Sequence, residues 1–263
     1  PLPGAPIAVA SSGRSDNRRV VATDAGLFIV DVGADGPMTL LDLNGDGLDD
    51  RVIQVLQPSV DLLAVASTFG RFAAGAVDGL LTSYNADTVQ LLGQAGTGFT
   101  ADGITHLGTQ AFVASLQGGE VRRYNLVDGP PVLAGISPPG DGPMGAIGTY
   151  RDVVIYGRQL TGQEIGFLGT GTPDALPFLG GISYSEFGGV NRALGMAVDG
   201  QYHFVVGLGA DSTWLLVGQH DARVDLMGIP PTVTLVSPED GSTHEEGRTI
   251  AVEVQAVDDV EVA

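Results

Sequence analysis

Cysteine and lysine are both absent from this sequence of 263 residues, in which all twelve basic side chains are arginines. Without cysteine the chain has no disulfide framework, no thiol nucleophile and no thiolate zinc site. Without lysine it has neither the amine of a phosphate-binding loop nor that of a Schiff-base enzyme. These two absences exclude a large share of enzyme classes.

Positive charge and long apolar runs are also scarce. Twelve basic residues stand against 31 acidic ones, which gives a formal net charge of −19. Such a chain repels the phosphates of nucleic acid, so we expect no nucleic-acid partner. The longest uncharged stretches, such as 103–119, contain Gly, Gln, Thr and His, and none predicts insertion into a membrane. Acidity without thiols fits a secreted bacterial protein, which predicts an extracellular or cell-surface location.

Glycine and proline are plentiful, at 40 and 15 residues, and the apolar segments between them form five units of four. First segments lie at 7–10, 63–66, 103–107, 144–147 and 194–198. Second segments lie at 19–22, 71–74, 111–114, 152–155 and 203–206. Third segments lie at 26–30, 79–84, 119–124, 164–168 and 212–216. Fourth segments lie at 40–42, 91–93, 133–135, 179–181 and 226–228.

This repeat predicts the fold class. Short, nearly continuous apolar strands indicate sheets that are covered on both faces. Four-stranded units recurring every ~40–50 residues are typical of a β-propeller, in which each blade packs on two neighbours. We therefore expect an all-β propeller of about five four-stranded blades over residues 1–228, with a β-sandwich or solenoid as the alternative. The total blade number stays open, and residues ahead of Pro1 are the expected source of any others.

The third segment of the first unit carries a family resemblance. Its sequence, Gly26-Leu27-Phe28-Ile29-Val30-Asp31-Val32, resembles the LVIVD-type repeats of bacterial surface propellers. The resemblance covers residues 6–229, but outside the first unit it rests on position and polarity. It implies an extracellular propeller module.

Residues 229–263 break the repeat and predict a second domain. A Pro-Pro linker, a strand, a Ser-Pro-x-x-Gly turn and a second strand ending near Asp258 follow one another. This order resembles the opening of bacterial immunoglobulin-like domains. Because such a sandwich needs about seven strands, we expect only its first strands here, as a partial immunoglobulin-like stub.

One segment predicts a metal site: Asp42-Leu43-Asn44-Gly45-Asp46-Gly47-Leu48-Asp49-Asp50. Its oxygen ligands for Ca²⁺ would be the side chains of Asp42, Asn44, Asp46 and Asp50 and the backbone carbonyl of Leu48. Position 12 is Ile53 rather than glutamate, and no helices flank the loop, so it is not an EF-hand. The string is similar to the loops of FG-GAP and integrin-α-type propellers, which implies a structural ion. A turn without metal is the alternative.

The loops predict where a partner would bind. With the calcium loop placed after a fourth strand, it would share one end of the propeller with the loops that follow second strands. That end would be acidic, and it would collect Asp24, Asp78, Asp211, residues 138–142 and residues 184–192. We expect a protein or glycan partner on this face, or self-assembly, because loops on a rigid scaffold carry recognition. Acids that serve only solubility are the alternative.

These observations predict a non-enzymatic extracellular module of a bacterial surface or filament protein, acting in adhesion or assembly. The four histidines, at 106, 203, 220 and 244, have no metal-ligand spacing. The alternative function is a secreted glycosidase-like hydrolase with two carboxylates near the central axis. Its candidate residues are Asp102 and Asp199, which lie beside first strands.

Overall fold

The computed structural model of the chain consists of β-strands joined by turns and loops. It describes residues 2–11, 18–31, 52–56, 62–68, 70–86, 88, 90–115, 117, 119–126, 129–139, 144–158, 164–183, 192–199, 202–209, 212–219, 232–238, 242–243 and 252–257. Within these ranges there is no helix, and so none of the length and hydropathy needed to cross a membrane. The chain divides into two compact units, Pro1–Gln219 and His220–Ala263.

The first unit contains five antiparallel sheets, each built from strands consecutive in the chain. Blade 1 has β1 (Pro6–Ser11), β2 (Arg18–Thr23), β3 (Gly26–Asp31) and β4 (Val52–Leu56). Blade 2 has β5 (Leu62–Thr68), β6 (Arg71–Ala76), β7 (Leu80–Asn85) and β8 (Leu91–Gly96). Blade 3 has β9 (Gly103–Leu107), β10 (Gln110–Ala114), β11 (Val121–Asn125) and β12 (Val132–Ile136). Blade 4 has β13 (Met144–Tyr150), β14 (Val153–Arg158), β15 (Ile165–Gly169) and β16 (Phe178–Ile182), and blade 5 has β17 (Arg192–Asp199), β18 (Tyr202–Leu208) and β19 (Thr213–Gln219).

The five sheets are arranged as propeller blades, which confirms the predicted fold class. The first strand of each blade is innermost and packs on the first strand of the next, from β1 through β5, β9 and β13 to β17. The second, third and fourth strands follow outward in order.

The predicted fourth strand of blade 1 was wrong. Residues 40–42 were expected to form it, but β4 is Val52–Leu56, which pairs with β3 through Leu27↔Leu56 and Phe28↔Val55. The segment Val-Ile-Gln-Val-Leu supplies five consecutive residues suited to a strand, whereas the pair Leu40-Leu41 runs directly into a turn-forming Asp/Asn/Gly sequence. Residues 42–50 therefore belong to the connection between the third and fourth strands. The fourth segment predicted for blade 5, 226–228, lies outside the described residues.

The core lies in the seams between blades. Adjacent residues of one strand serve opposite seams, because successive side chains of a strand point to opposite faces. Val113 packs toward blade 2 and Phe112 toward blade 4. In the same way Val154 packs toward blade 3 and Ile155 toward blade 5. This double burial explains why the strands are apolar along their whole length.

Two seams require glycine because neighbouring blades approach closely. A Cβ atom on Gly157 of β14 would lie 2.3 Å from the Cβ of Ala193 on β17. A Cβ on Gly75 of β6 would lie 2.6 Å from the Cβ of Ala101, just ahead of β9. Both distances are shorter than two carbon atoms tolerate, so glycine is needed for the packing.

The second unit contains two antiparallel strands, β20 (Thr232–Ser237) and β21 (Glu253–Val257). They coincide with the two strands that the sequence predicts for an immunoglobulin-like domain. Their apolar side chains, including Val233 and Val254, are exposed. The predicted domain boundary at residue 228 lies outside the described residues and stays a prediction.

Candidate functional site

A cavity of about 460 Å³ lies at the hub of the propeller. All five innermost strands contribute to its wall, which is formed by Val9, Ala10, Val65, Ile104, Thr105, His106, Ile147, Gly148, Thr149, Met196, Ala197 and Val198. Each of these strands is hydrogen-bonded within its sheet to the second strand only. Backbone N–H and C=O groups along the other edge therefore face the hub, where they can donate to and accept from a ligand or water.

Polar side chains occur in the wall where blades 3 and 4 meet. The Oγ1 atom of Thr149 donates a hydrogen bond to the backbone oxygen of His106 at 2.5 Å. The Oγ1 atom of Thr105 lies 3.4 Å from that of Thr149. These contacts join β9 to β13 across the seam. Sequence reasoning missed this cluster, because its members are 43 and 44 residues apart in the chain.

Burial lowers the pKa of His106 below its ordinary value of 6.5. The imidazole is therefore neutral at pH 7, with one nitrogen that donates and one that accepts a hydrogen bond. The residues of the wall include no aspartate, glutamate or arginine. This combination suits a neutral ligand with hydroxyl or amide groups better than an ion.

The two carboxylates predicted for a hydrolase lie apart from each other. Asp102 immediately precedes β9, and its Oδ2 atom accepts hydrogen bonds from Thr100 Oγ1 at 2.9 Å and Ser115 Oγ at 3.2 Å. Asp199 is the exposed last residue of β17. One aspartate precedes a first strand and the other ends one, and neither is among the residues that form the wall of the hub cavity. A glycosidase pair would have to lie ~5–9.5 Å apart on one bond.

The predicted calcium ligands Asp42, Asn44, Asp46, Leu48 and Asp50 lie outside the described residues. In the chain they fall between β3 and β4, and not after the fourth strand of blade 1 as the sequence predicted. In the described part of the chain, no three His, Asp or Glu residues are grouped so that they could hold a metal ion.

Asp24 and Asp78 lie in exposed turns after second strands, as predicted. Both carboxylates have local structural partners: Asp24 Oδ1 accepts from the Ala5 amide at 2.7 Å, and Asp78 Oδ1 from the Leu80 amide at 3.0 Å. Asp211, residues 140–142 and residues 184–191 lie outside the described ranges. The acidic face therefore stays a prediction.

Sequence reasoning missed an arginine that clamps two blades together. Arg123 on β11 is 2% exposed, and its guanidinium donates to the carbonyls of Ala134 (3.1 Å), Thr170 (2.8 Å), Thr172 (2.9 Å) and Pro173. Three of these carbonyls belong to the β15–β16 connection of blade 4. Burial lowers the pKa of Arg123, and the Asp174 carboxylate acts in the opposite direction. The sequence signal that could have revealed this role is the pair of arginines, 122 and 123, inside a segment that was predicted to be a strand of the core.

Its neighbour Arg122 makes a second clamp, toward blade 2. Its guanidinium lies over the ring of Phe99, with the Cζ atom 4.8 Å from the ring centroid. It also donates to the Thr97 carbonyl and pairs with Glu120. Arg122 and Arg123 point to opposite faces of β11, so one dipeptide ties blade 3 to both of its neighbours.

Comparison with known proteins gives a family match within the second unit. Residues 231–263 match the family described as Bacterial Ig domain. No curated protein matches the chain. The match agrees with the strands β20 and β21 and confirms the predicted immunoglobulin-like character of this segment.

Two solved structures of designed proteins resemble the chain. The computationally designed Ika8 protein has a TM-score of 0.55 at 14% identity, covering 78% of this chain and 56% of its own. The computationally designed Ika4 protein has a TM-score of 0.45 at 15% identity, covering 60% and 88%. At such identity the likeness to Ika8 shows the fold alone, and the chain spans little more than half of that protein's length. The propeller and the bacterial Ig-like segment are together consistent with an extracellular interaction module.

Proposed function

We propose that this chain is a non-enzymatic extracellular module of a bacterial surface or filament protein, in which the propeller mediates adhesion or assembly. The observation that carries the proposal is the succession of a rigid propeller and a segment that matches bacterial Ig domains. A rigid scaffold presenting loops suits recognition. The LVIVD-like and FG-GAP-like character of the repeats belongs to the same proposal.

The composition of the hub supports a binding role over hydrolysis. Its wall combines apolar side chains, two threonines and a neutral histidine, with no carboxylate among the residues that form it. Asp102 accepts hydrogen bonds from two hydroxyl groups, and neither Asp102 nor Asp199 is among the residues of the wall. Acid–base cleavage of a glycoside needs two carboxylates that flank the same glycosidic bond.

Cell-surface labelling tests the proposed location and role. Antibody against the chain is expected to label intact cells of the source bacterium, and protease added outside intact cells is expected to remove the signal. Beads coated with the purified chain are expected to bind those cells or their surface glycans. Labelling that appears only after lysis contradicts the extracellular role. Glycoside cleavage that is lost in the double variant Asp102→Ala, Asp199→Ala supports the hydrolase instead.

Calcium stabilisation of the propeller is part of this proposal. The ligand set proposed in segment 42–50 consists of three of its four aspartates, one asparagine and one backbone carbonyl, a set of oxygen donors that suits Ca²⁺. Like charges at such spacing repel one another unless a cation lies between them. The residues fit the ion chemically, and its role would be structural.

Removing calcium is expected to lower the melting temperature. A ligand held at 100 times its Kd stabilises the folded state by about 2.7 kcal/mol, so a chelator should shift the midpoint by several degrees. Asp46→Ala should lower the midpoint in calcium to the chelated value, whereas Asp199→Asn, an exposed strand-end control, should keep the full response. An unchanged midpoint on chelation would reject the structural ion.

A further inference from the structure

Among the strands that the structure describes, the ring of blades is open between blade 5 and blade 1. Each innermost strand packs closely on the next from β1 to β17, but among the described strands no comparable packing joins β17 back to β1. Both strands nevertheless line the same hub cavity, β1 through Val9 and Ala10 and β17 through Met196 to Val198. The two ends of the blade series therefore flank a gap beside the hub.

The outer face of blade 5, defined as Tyr202, Val206, Leu208, Leu215 and Val217, is apolar and exposed. The strand register places Val206 opposite Leu215, and Leu208 and Tyr202 alternate on the same side of β18. Leu215 is 67% exposed and Val217 is 56% exposed. The opposite face of the blade, with Val205 and Leu216, is buried against blade 4.

The same face is buried in every preceding blade. Residues facing the next blade include Leu27 in blade 1, Leu81 in blade 2, Phe112 in blade 3 and Ile165 in blade 4, and each is at most 1% exposed. In blade 1 the face turned away from blade 2 is exposed on the innermost strand, where Val9 is 67% and Ile7 40% exposed, whereas Phe28 on β3 is 2% exposed. The outer face of blade 5 thus continues an interface that the molecule forms four times.

We propose that one to three further four-stranded blades of the same polypeptide, encoded ahead of β1, fill this gap and cover the outer face of blade 5. A blade is the partner whose surface matches this face, because each seam already joins two such surfaces. Since propellers have four to eight blades, five blades leave room for one to three more, whereas a second copy would bring five. Residues 231–263 match a bacterial Ig domain and not a blade, so the proposal places the further blades ahead of β1.

A unique thiol reports whether the face is covered. The natural chain has no cysteine, so Leu215→Cys and Val217→Cys each introduce a single reactive group, and Thr109→Cys in an exposed turn is the matched control. The rate of maleimide labelling is measured in the 263-residue chain and in the same chain preceded by its own upstream residues. Circular dichroism melting of each variant verifies that both forms are folded.

In the 263-residue chain, positions 215 and 217 are expected to react as fast as position 109. In the extended chain they should react at least tenfold more slowly, with position 109 unchanged. Equal rates in the two chains, or an upstream sequence without a further repeat unit, would overturn the proposal. If labelling of the 263-residue chain became slower at higher protein concentration, the face would be covered by a second copy of the chain, and the proposal would be overturned. None of these outcomes depends on the adhesive role or on calcium.

Discussion

At the residue scale, the seams leave little room for side-chain atoms. Glycine at 157 and alanine at 193 allow β14 and β17 to meet, and buried pairs such as Val154 and Ile155 divide their side chains between two interfaces. Interiors packed this closely respond to a single added methyl group. Small residues in these strands therefore set the distance between blades.

Substitution of Gly157 tests this close approach. Gly157→Ala would place a Cβ 2.3 Å from that of Ala193, and the blades would have to separate locally. We expect the free energy of unfolding to fall by about 1–3 kcal/mol, measured by chemical denaturation. Gly195→Ala on β17 is the matched control, because nothing lies within 4 Å of its added Cβ. Equal losses for the two variants would show that close packing at 157 is not the cause.

At the scale of elements, arginine side chains fasten connections of one blade to a strand of another. Arg123 on β11 fixes the β15–β16 connection through three backbone carbonyls, at 170, 172 and 173. Arg71 at the start of β6 similarly donates to the carbonyl of Leu126, in the β11–β12 connection. Planar guanidinium groups suit this task because they present several donors in a fixed geometry. Blades are therefore joined by polar clamps as well as by apolar seams.

Replacing Arg123 should weaken the join between blades 3 and 4. Arg123→Met keeps the apolar stem but leaves the carbonyls without their donor, so we expect a loss of about 1.5–3 kcal/mol in unfolding free energy. Arg123→Lys should fall between the parent and Arg123→Met, because an ammonium reaches fewer of the carbonyls. The exposed Arg151, which contacts the Tyr150 ring at 5.4 Å, gives the control Arg151→Met, with little expected change. Hydrogen exchange at residues 170–176 should quicken in the Arg123 variants alone.

At the scale of the whole molecule, stability should depend on pH through the hub. Burial lowers the pKa of His106 below 6.5, so the unfolded chain binds more protons than the folded chain just below that pH. The contribution of His106 to stability is therefore full above about pH 6.5 and is lost as the pH falls toward its folded pKa. Wild type should lose stability between pH 7 and 5 more steeply than His106→Gln, as measured by urea denaturation. Parallel curves for the two proteins would contradict this assignment.

Local sequence patterns were sufficient to predict the order of the strands and the fold class. Apolar segments at 71–74, 111–114 and 203–206 became second strands because continuous hydrophobicity over so few residues is satisfied only by a sheet covered on both faces. The Pro-Pro linker and the strands after it likewise sufficed to predict the immunoglobulin-like segment, which the family match confirms. The prediction was wrong for the fourth strand of blade 1, because the apolar pair 40–41 is too short to be distinguished from the edge of a turn.

Only the tertiary structure decided which residues meet. Thr105, His106 and Thr149 form one cluster at the hub because the fold brings β9 beside β13, and Arg123 finds its carbonyls 47 to 50 residues away. The same is true of the separation between Asp102 and Asp199 and of the apolar face left open on blade 5. The periodicity of a strand and the chemistry of a turn depend on a few neighbouring residues, so the local sequence is enough to predict them. Distances between blades depend on how whole sheets pack, and that packing is a property of the assembled ring.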